Sequence, residues 1–217
     1  MSLSARPLLL GHRGASKYAT ENTRQAFDLA LQHGCDGFEF DVRYTRDRRC
    51  VVCHDSVHQR KRIAVRRFDE FELPSADEVI RDYSTRAFLD VELKVPGDAG
   101  AIAQALTESA RDARCIVSSF QPEVLRTFSL LAPKIPLGLI CENVRQLKAW
   151  PKLPVNGLMI HFSLVSEPLI DELHRAGRRI FVWTVNKRSE MRHFASLGVD
   201  GIISDDTRLL ASTLPRS

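Results

Sequence analysis

The sequence predicts an α/β protein: a (β/α)8 barrel with a β-hairpin extension after its second strand. Three observations carry that expectation. Short apolar runs of strand length alternate with amphipathic helical patterns from Leu8 to Asp205. A joint of the form helix-Gly-x-Asp-Gly-strand occurs early, at Gly34-Cys35-Asp36-Gly37, and returns late, at Gly198-Val199-Asp200-Gly201. Nine strand-like runs can be counted, but Cys50 to His54 follows its predecessor across a loop too short for a parallel crossover, which takes about a dozen residues. Read as the antiparallel partner of that predecessor, it leaves eight parallel strands. The competing architecture is an open doubly wound sheet, and the Gly-rich fingerprint of the dinucleotide-binding kind is absent.

In chain order, Pro7 to Gly11 is the first strand, with Leu8, Leu10 and His12 on one face. Asn22 or Thr23 can cap the helix that follows, whose buried stripe is Ala26, Phe27, Ala30 and Leu31, and Gly34 ends it. Phe38 to Arg43 is the second strand. On it Glu39 and Asp41 share one face, while Phe38, Phe40 and Val42 share the other. Further strands are expected at Ala87 to Leu93, Cys115 to Phe120, Pro136 to Cys141, Gly157 to Phe162, Arg179 to Val185 and Ile202 to Asp205. The spacing predicts helices between them. One starts at the capping-box pattern Ser75-x-x-Glu78; one runs from Asp98 to Ala113; one starts at Pro122. The others are Asn143 to Trp150, Ser166 to Ala176 and Lys187 to Leu197. No helix is read after the last strand.

At 217 residues, 44% hydrophobic and 27% charged, the chain is expected to fold as a single domain over 1–217. A net charge of +4 suits an anionic substrate without demanding nucleic acid. No apolar run nears the ~20 residues of a membrane span, so stable membrane insertion is not expected. Met1 to Pro7 lacks the pattern of a signal peptide, and five cysteines without framework spacing suggest reduced thiols, together pointing to a cytoplasmic protein. Cys50-Val51-Val52-Cys53-His54 matches a haem-attachment string, but it reads better as a strand, with Val51 and Cys53 on one face and Cys50, Val52 and His54 on the other. No second thiol pair supports zinc. The basic segment Gln59 to Arg67 is expected to be a solvated loop, with a phosphate-attracting rim as the alternative.

Active sites of such barrels collect at the C-terminal ends of the strands, and the polar residues sort accordingly. Strand one ends in His12 and Arg13, strand two carries Glu39 and Asp41, the hairpin ends in His54 and Asp55, and strand three carries Glu92 and Lys94. Three converging carboxylates without a thiolate suit a hard cation, Mg²⁺ or Ca²⁺. Arg13 and Lys94 remain to hold an anion, and the two imidazoles can exchange protons near neutral pH. This set reads as hydrolysis of a phosphate ester.

His12-Arg13-Gly14, Glu21-Asn22-Thr23, Glu39-x-Asp41, His54-Asp55, Glu92-Leu93-Lys94, Trp183-Thr184-Val185-Asn186 and Asp200-Gly201-Ile202-Ile203-Ser204-Asp205 together resemble the glycerophosphodiester phosphodiesterase family. The family belongs to the phospholipase C-like phosphodiesterase superfamily, and the resemblance runs from Gly11 to Asp205 in the family's order. It implies a TIM barrel that hydrolyses small glycerophosphodiesters to an alcohol and sn-glycerol 3-phosphate with one divalent cation. It implies His12 and His54 as acid and base, and Glu39, Asp41 and Glu92 as metal ligands. Arg13 and Lys94 would hold the phosphate, and Trp183 would wall the glycerol side. It further implies attack by the glycerol 2-hydroxyl and a cyclic phosphate that water opens. The residues alone leave direct water attack equally open. Two departures stand out: Ser56 to Arg67 replaces the family's usual Thr/Gly-rich segment, and Asp206-Thr207 stands where Pro often follows Asp205.

Plainer readings stand beside these. Asn22 can be a helix cap only, Glu21 can orient Arg13 or the metal site or simply favour the helix dipole, and Trp183 can be core. His161 at a strand end is a candidate substrate contact, while His33, His58, His174 and His193 receive no role. Ser118 and Ser119 lack a triad pattern. Two other functions compete. A phospholipase or lyase acting on lipid headgroups needs an apolar element at the mouth, and a non-catalytic phosphate-binding barrel would have lost a His or an acid.

Overall fold

The computed structural model describes residues 6–95, 97, 99–109 and 114–216. Its parallel strands are β1 (Leu8–Gly11), β2 (Gly37–Tyr44), β3 (Phe88–Leu93), β4 (Cys115–Ser119), β5 (Leu137–Cys141), β6 (Gly157–His161), β7 (Arg179–Trp183) and β8 (Gly201–Ser204). Each pairs with the next in sequence, and β8 pairs with β1, so the sheet closes on itself as a (β/α)8 barrel. Around it lie α1 (Arg24–Gln32), α2 (Ala76–Tyr83), α3 (Gly100–Ser109), α4 (Pro122–Leu131), α5 (Val144–Leu147), α6 (Glu167–Arg175), α7 (Arg188–Ser196) and α8 (Thr207–Thr213). The hairpin is present: Cys50–Val52 runs antiparallel to β2, with Val42 opposite Val52.

Strand alternation divides the apolar residues between two cores. Leu10, Phe88, Ile116, Ile140, Met159, Phe181 and Ile203 fill the barrel interior. Phe38 and Phe40 point outward instead, and Phe38 stacks on Phe27 of α1 with ring centroids 4.2 Å apart. Each such buried ring contributes roughly 2–3 kcal/mol. Together they lock the register of β2, so Glu39 and Asp41 must face inward. The barrel interior is tight: a Cβ on Gly201 would lie 2.2 Å from the Phe181 ring, so only glycine fits there.

The repeated joint has a physical purpose. Asp36 donates its backbone N–H to Leu9 O and accepts Leu9 N–H on Oδ2, at 2.8 and 2.9 Å. Asp200 makes the same pair of bonds with Ile180, both at 2.8 Å, and Asn156 makes it with Leu137 at 2.7 and 2.9 Å. Each side chain supplies a ladder bond that the start of the preceding strand lacks. The third member was not read from the sequence, because Asn156-Gly157 carries no glycine ahead of it to complete the pattern.

Several boundaries differ from expectation. Ser75 caps α2 only by position, because its hydroxyl donates to Asp77 rather than completing a box with Glu78. The Asn143 helix is a single turn, α5, followed by a 3₁₀ turn at Trp150–Lys152. The unread helix α8 is only seven residues long, capped by Asp206 Oδ1 accepting Leu209 N–H at 3.0 Å. Met1 to Ala5, Asp98 and residues 110–113, on which parts of the N-terminal and α3 readings fall, lie outside the described residues. The hairpin strand alternates as expected, with Val51 and Cys53 against Ile63 and Phe71, and Cys50 and Val52 in the main core. All five cysteines are buried free thiols. At the start of the basic segment, Lys61–Arg62 pairs with the preceding Val57–His58 in a small antiparallel ribbon, and most side chains of the segment are exposed. Among the described residues no helix is long and apolar enough to cross a membrane.

Candidate active site

A cleft of about 270 Å³ opens at the C-terminal mouth of the barrel. His12, Arg13, Glu39, His54, Glu92, Lys94 and Trp183, all expected there, line it. The eighth, Asp41, does not line the cleft. It lies fully buried beside it, with Asp41, Glu39 and Glu92 offering oxygens within 4.8 Å of one another.

The Gly11–Gly14 turn folds the end of β1 back over this cluster. Arg13 has φ +56° and Gly14 φ +81°, and a Cβ on Gly14 would lie 2.6 Å from the Ala26 carbonyl carbon. The turn aims the Arg13 amide at Glu39 Oε2, 2.9 Å away. Arg13 Nη1 donates to both oxygens of Glu21 at 2.9 Å each, and Arg13 Nε lies 3.4 Å from Asp41 Oδ2. Glu21 therefore orients Arg13, one of its expected readings.

Lys94 sits inside the acid cluster, with Nζ 2.9 Å from Asp41 Oδ1 and 2.7 Å from Glu92 Oε1. Asp41 is clamped further by Asn22, whose Nδ2 donates to Asp41 Oδ2 at 2.7 Å and whose Oδ1 accepts the Asp41 amide at 3.2 Å. The helix cap is Thr23, which accepts Ala26 N–H at 3.2 Å, so Asn22 is freed for the site. Glu39 Oε1 is buried without a hydrogen-bond partner.

The charges respond to this crowding. Burial, then the Asp41 and Glu92 charges, push Glu39 well above the ordinary carboxylate range. Burial, then Asp41, raise Glu92 to about 8 against the pull of Lys94. Burial lifts Asp90 to about 7, against its bond from Ser118. Burial acts on Asp41 too, but Lys94, Asn22 and Arg13 outweigh it and hold that carboxyl below its usual value.

Both histidines are oriented by a carboxylate. His12 Nδ1 lies 2.7 Å from Asp205 Oδ1, and His54 Nδ1 lies 2.9 Å from Asp55 Oδ1. A carboxylate partner fixes the proton on Nδ1 and leaves Nε2 for a reacting group. Asp205 also accepts from Ser16 Oγ and Asn186 Nδ2; despite burial, His12 first and then these two bonds hold it at about 2. Trp183 Nε1 donates to Met159 O at 3.0 Å, and its ring meets Phe120 and His161 edge-on. His161 supports Trp183 instead of lining the cleft, and its Nδ1 lies 2.7 Å from Ser163 Oγ.

Sequence reasoning missed Asp90, Ser118, Phe120 and Glu142, which also line the cleft, and the Asp205 partner of His12. Asp90 was findable, since it lies at i−2 from Glu92 on a strand and shares its face. The Asp205 contact joins residues 193 apart and has no local signal.

Fold and cleft define a (β/α)8 barrel with a candidate active site at its C-terminal mouth. The model of the glycerophosphoryl diester phosphodiesterase family matches residues 12–73 and 64–209, and the chain belongs to that family of hydrolases. It is 30% identical to the glycerophosphodiester phosphodiesterase of Caldanaerobacter subterraneus subsp. tengcongensis, across 94% of this chain and 96% of that protein. Two solved structures share the fold at 24% identity. A glycerophosphodiester phosphodiesterase from Agrobacterium tumefaciens matches with a TM-score of 0.85 over 95% of this chain and 99% of that one. An Oleispira antarctica phosphodiesterase, solved with its product sn-glycerol-3-phosphate, matches with a TM-score of 0.86 over 96% of each chain.

Proposed function

We propose that this chain, acting as one barrel domain over 1–217, hydrolyses small glycerophosphodiesters to an alcohol and sn-glycerol 3-phosphate. The observation that carries the reading is the convergence at one cleft of two carboxylate-held imidazoles, two cations and the acids Glu39 and Glu92, with Asp41 clustered beside them beneath its wall. The product named for the Oleispira relative supports the substrate class.

Glu39, Asp41 and Glu92 would hold one divalent cation, Mg²⁺ or Ca²⁺. The all-oxygen donor set fits a hard ion, and the partnerless buried Glu39 Oε1 fits a missing ligand. When bound, such an ion supplies Lewis-acid polarisation of a phosphoryl oxygen. Arg13 and Lys94 hold the phosphate oxygens, Arg13 kept in place by Glu21. One imidazole takes on Nε2 the proton of the attacking oxygen, from water or from the glycerol 2-hydroxyl, and the other delivers a proton from Nε2 to the leaving alcohol. Where the 2-hydroxyl attacks, water then opens the cyclic phosphate. Trp183, anchored through Met159 O, walls the glycerol side. The substrate is small and the chain does not insert into a bilayer; five buried thiols without a bridge suit a cytoplasmic setting.

The test is release of sn-glycerol 3-phosphate from glycerophosphocholine or glycerophosphoethanolamine with Mg²⁺, Ca²⁺ or a chelator. Cation-dependent turnover that is lost in His12→Ala supports the reading. Metal-independent turnover, or full activity in that variant, contradicts it.

A further inference from the structure

The acids, cations and imidazoles invoked so far leave the floor of the cleft unexplained. Asp90 and Ser118 line it and are 1% and 0% exposed. Ser118 Oγ donates to Asp90 Oδ1 at 2.6 Å, the one hydrogen bond to that carboxyl's side chain among the described residues. A carboxylate offers about four lone-pair sites, so Asp90 keeps acceptor capacity that water or a ligand hydroxyl must use. Around this polar pair the cleft is apolar, with Ile140, Met159 and Ile203 among its lining.

Register sets the depth. Glu39 pairs with Asp90 and Asp41 with Glu92, so Asp90 lies two residues nearer the barrel base than Glu92 on the same inward face. Two strand residues span about 6.6 Å. That is the scale of a three-carbon chain reaching from the level of Glu92, where Lys94 Nζ lies, down to Asp90.

We infer that Asp90, with Ser118 fixing its orientation, accepts a hydrogen bond from the terminal hydroxyl of the glycerol unit and so selects glycerol over deoxy substituents. The inference rests on the phosphodiesterase reading above. A site built to hydrogen-bond a hydroxyl rejects an analogue lacking it far more strongly than an apolar pocket does, because the buried acceptor is left unpaired. Asp90 touches substrate here and sets specificity; it carries no proton in the reaction.

The experiment compares glycerophosphocholine with 2-hydroxypropyl phosphocholine, which keeps the 2-hydroxyl and lacks the terminal one. Wild-type kcat/KM is expected to favour the glycerol compound by about a hundredfold or more. In Asp90→Leu the preference falls to within about fivefold, chiefly because the glycerol compound loses its advantage, while the cation concentration for half-maximal activity stays put. Asp90→Asn keeps one acceptor oxygen and retains most of the preference. Should the leucine variant fail to fold, Ser118→Ala stands in for it, with a partial loss of the preference. Equal turnover of both compounds by the wild type overturns the inference. So does an equal loss on both in the variants, or a shifted cation requirement, either of which marks Asp90 as a support for the acid cluster. Absence of wild-type turnover on either compound is a different failure and counts against the phosphodiesterase reading itself.

Discussion

His12 Nδ1 and Asp205 Oδ1 meet at 2.7 Å across the seam where β8 closes onto β1. The backbone draws the same seam shut, with His12 N–H donating to Ser204 O at 2.9 Å. Barrel closure and imidazole orientation are therefore one event. A barrel that failed to close would carry both histidines without presenting the first.

Replacing Asp205 with Asn leaves the shape but offers His12 the wrong partner, letting the ring settle with its proton on Nε2. A fall in kcat of about a hundredfold or more is expected, with KM moving little. Asp55→Asn should cost about tenfold less, since Asp55 is 77% exposed on its side chain and water can replace it. Steady-state kinetics of the two variants side by side check the ranking.

Proton binding at the acid cluster couples to stability. Burial raises Asp90 to about 7 and Glu92 to about 8, far above the roughly 4 of an unfolded carboxyl. Below about pH 4 both states hold these protons; above it only the folded chain does, up to about pH 7 for Asp90 and about 8 for Glu92. The stability these groups contribute is present at the acid end and lost as pH rises through 7 to 8. Asp205, held at about 2, acts in the opposite sense and only below about pH 4. The metal-free protein should lose several degrees of Tm between pH 5 and 8, and a divalent cation should flatten that decline while releasing protons on binding. Thermal melts with and without chelator, and calorimetry in buffers of differing ionisation enthalpy, measure both.

What the sequence made legible follows from geometry that needs no partner. Alternation on a strand placed Glu39 with Asp41 and Glu92 with Lys94, and the phenylalanines between them located the opposite face. Asn22 was obscured because an Asn ahead of Thr23 already has a sufficient explanation as a cap. The position of Lys94 was illegible for another reason. A flexible four-carbon stem can carry its charge toward phosphate or toward Asp41 and Glu92, and the choice depends on where β2 and β3 set those acids. Asp205 needed the closed ring, and α8 is too short to show a period.

At the other end of the barrel, Asp36 supports the fold alone. It accepts Leu9 N–H and is paired with Arg6 at 2.8 Å and Arg216 at 2.9 Å. Asp36→Ala is expected to cost about 2–3 kcal/mol, or roughly 5–10 °C in Tm. Asn156→Ala, which loses one neutral bond to Leu137, should cost about half that. Both should keep wild-type kcat well below their melting points, since neither residue lines the cleft. Differential scanning calorimetry with activity at 20–25 °C separates the two readouts.

Lys94 divides two roles that one side chain can serve. Its ammonium lies against Asp41 and Glu92, where it offsets their charge before any cation arrives, and the proposed reaction also asks it to hold phosphate. Lys94→Met removes both. The three acids then take up protons in the metal-free protein, and an added divalent ion meets no ammonium competing for the same oxygens. Turnover should fall by about a hundredfold or more, as expected for loss of a charge that stabilises the transition state. The rise in Tm on adding Mg²⁺ or Ca²⁺ at pH 8 should meanwhile exceed that of the wild type. A smaller rise would show that Lys94 steadies the acids for the cation instead of standing in for it.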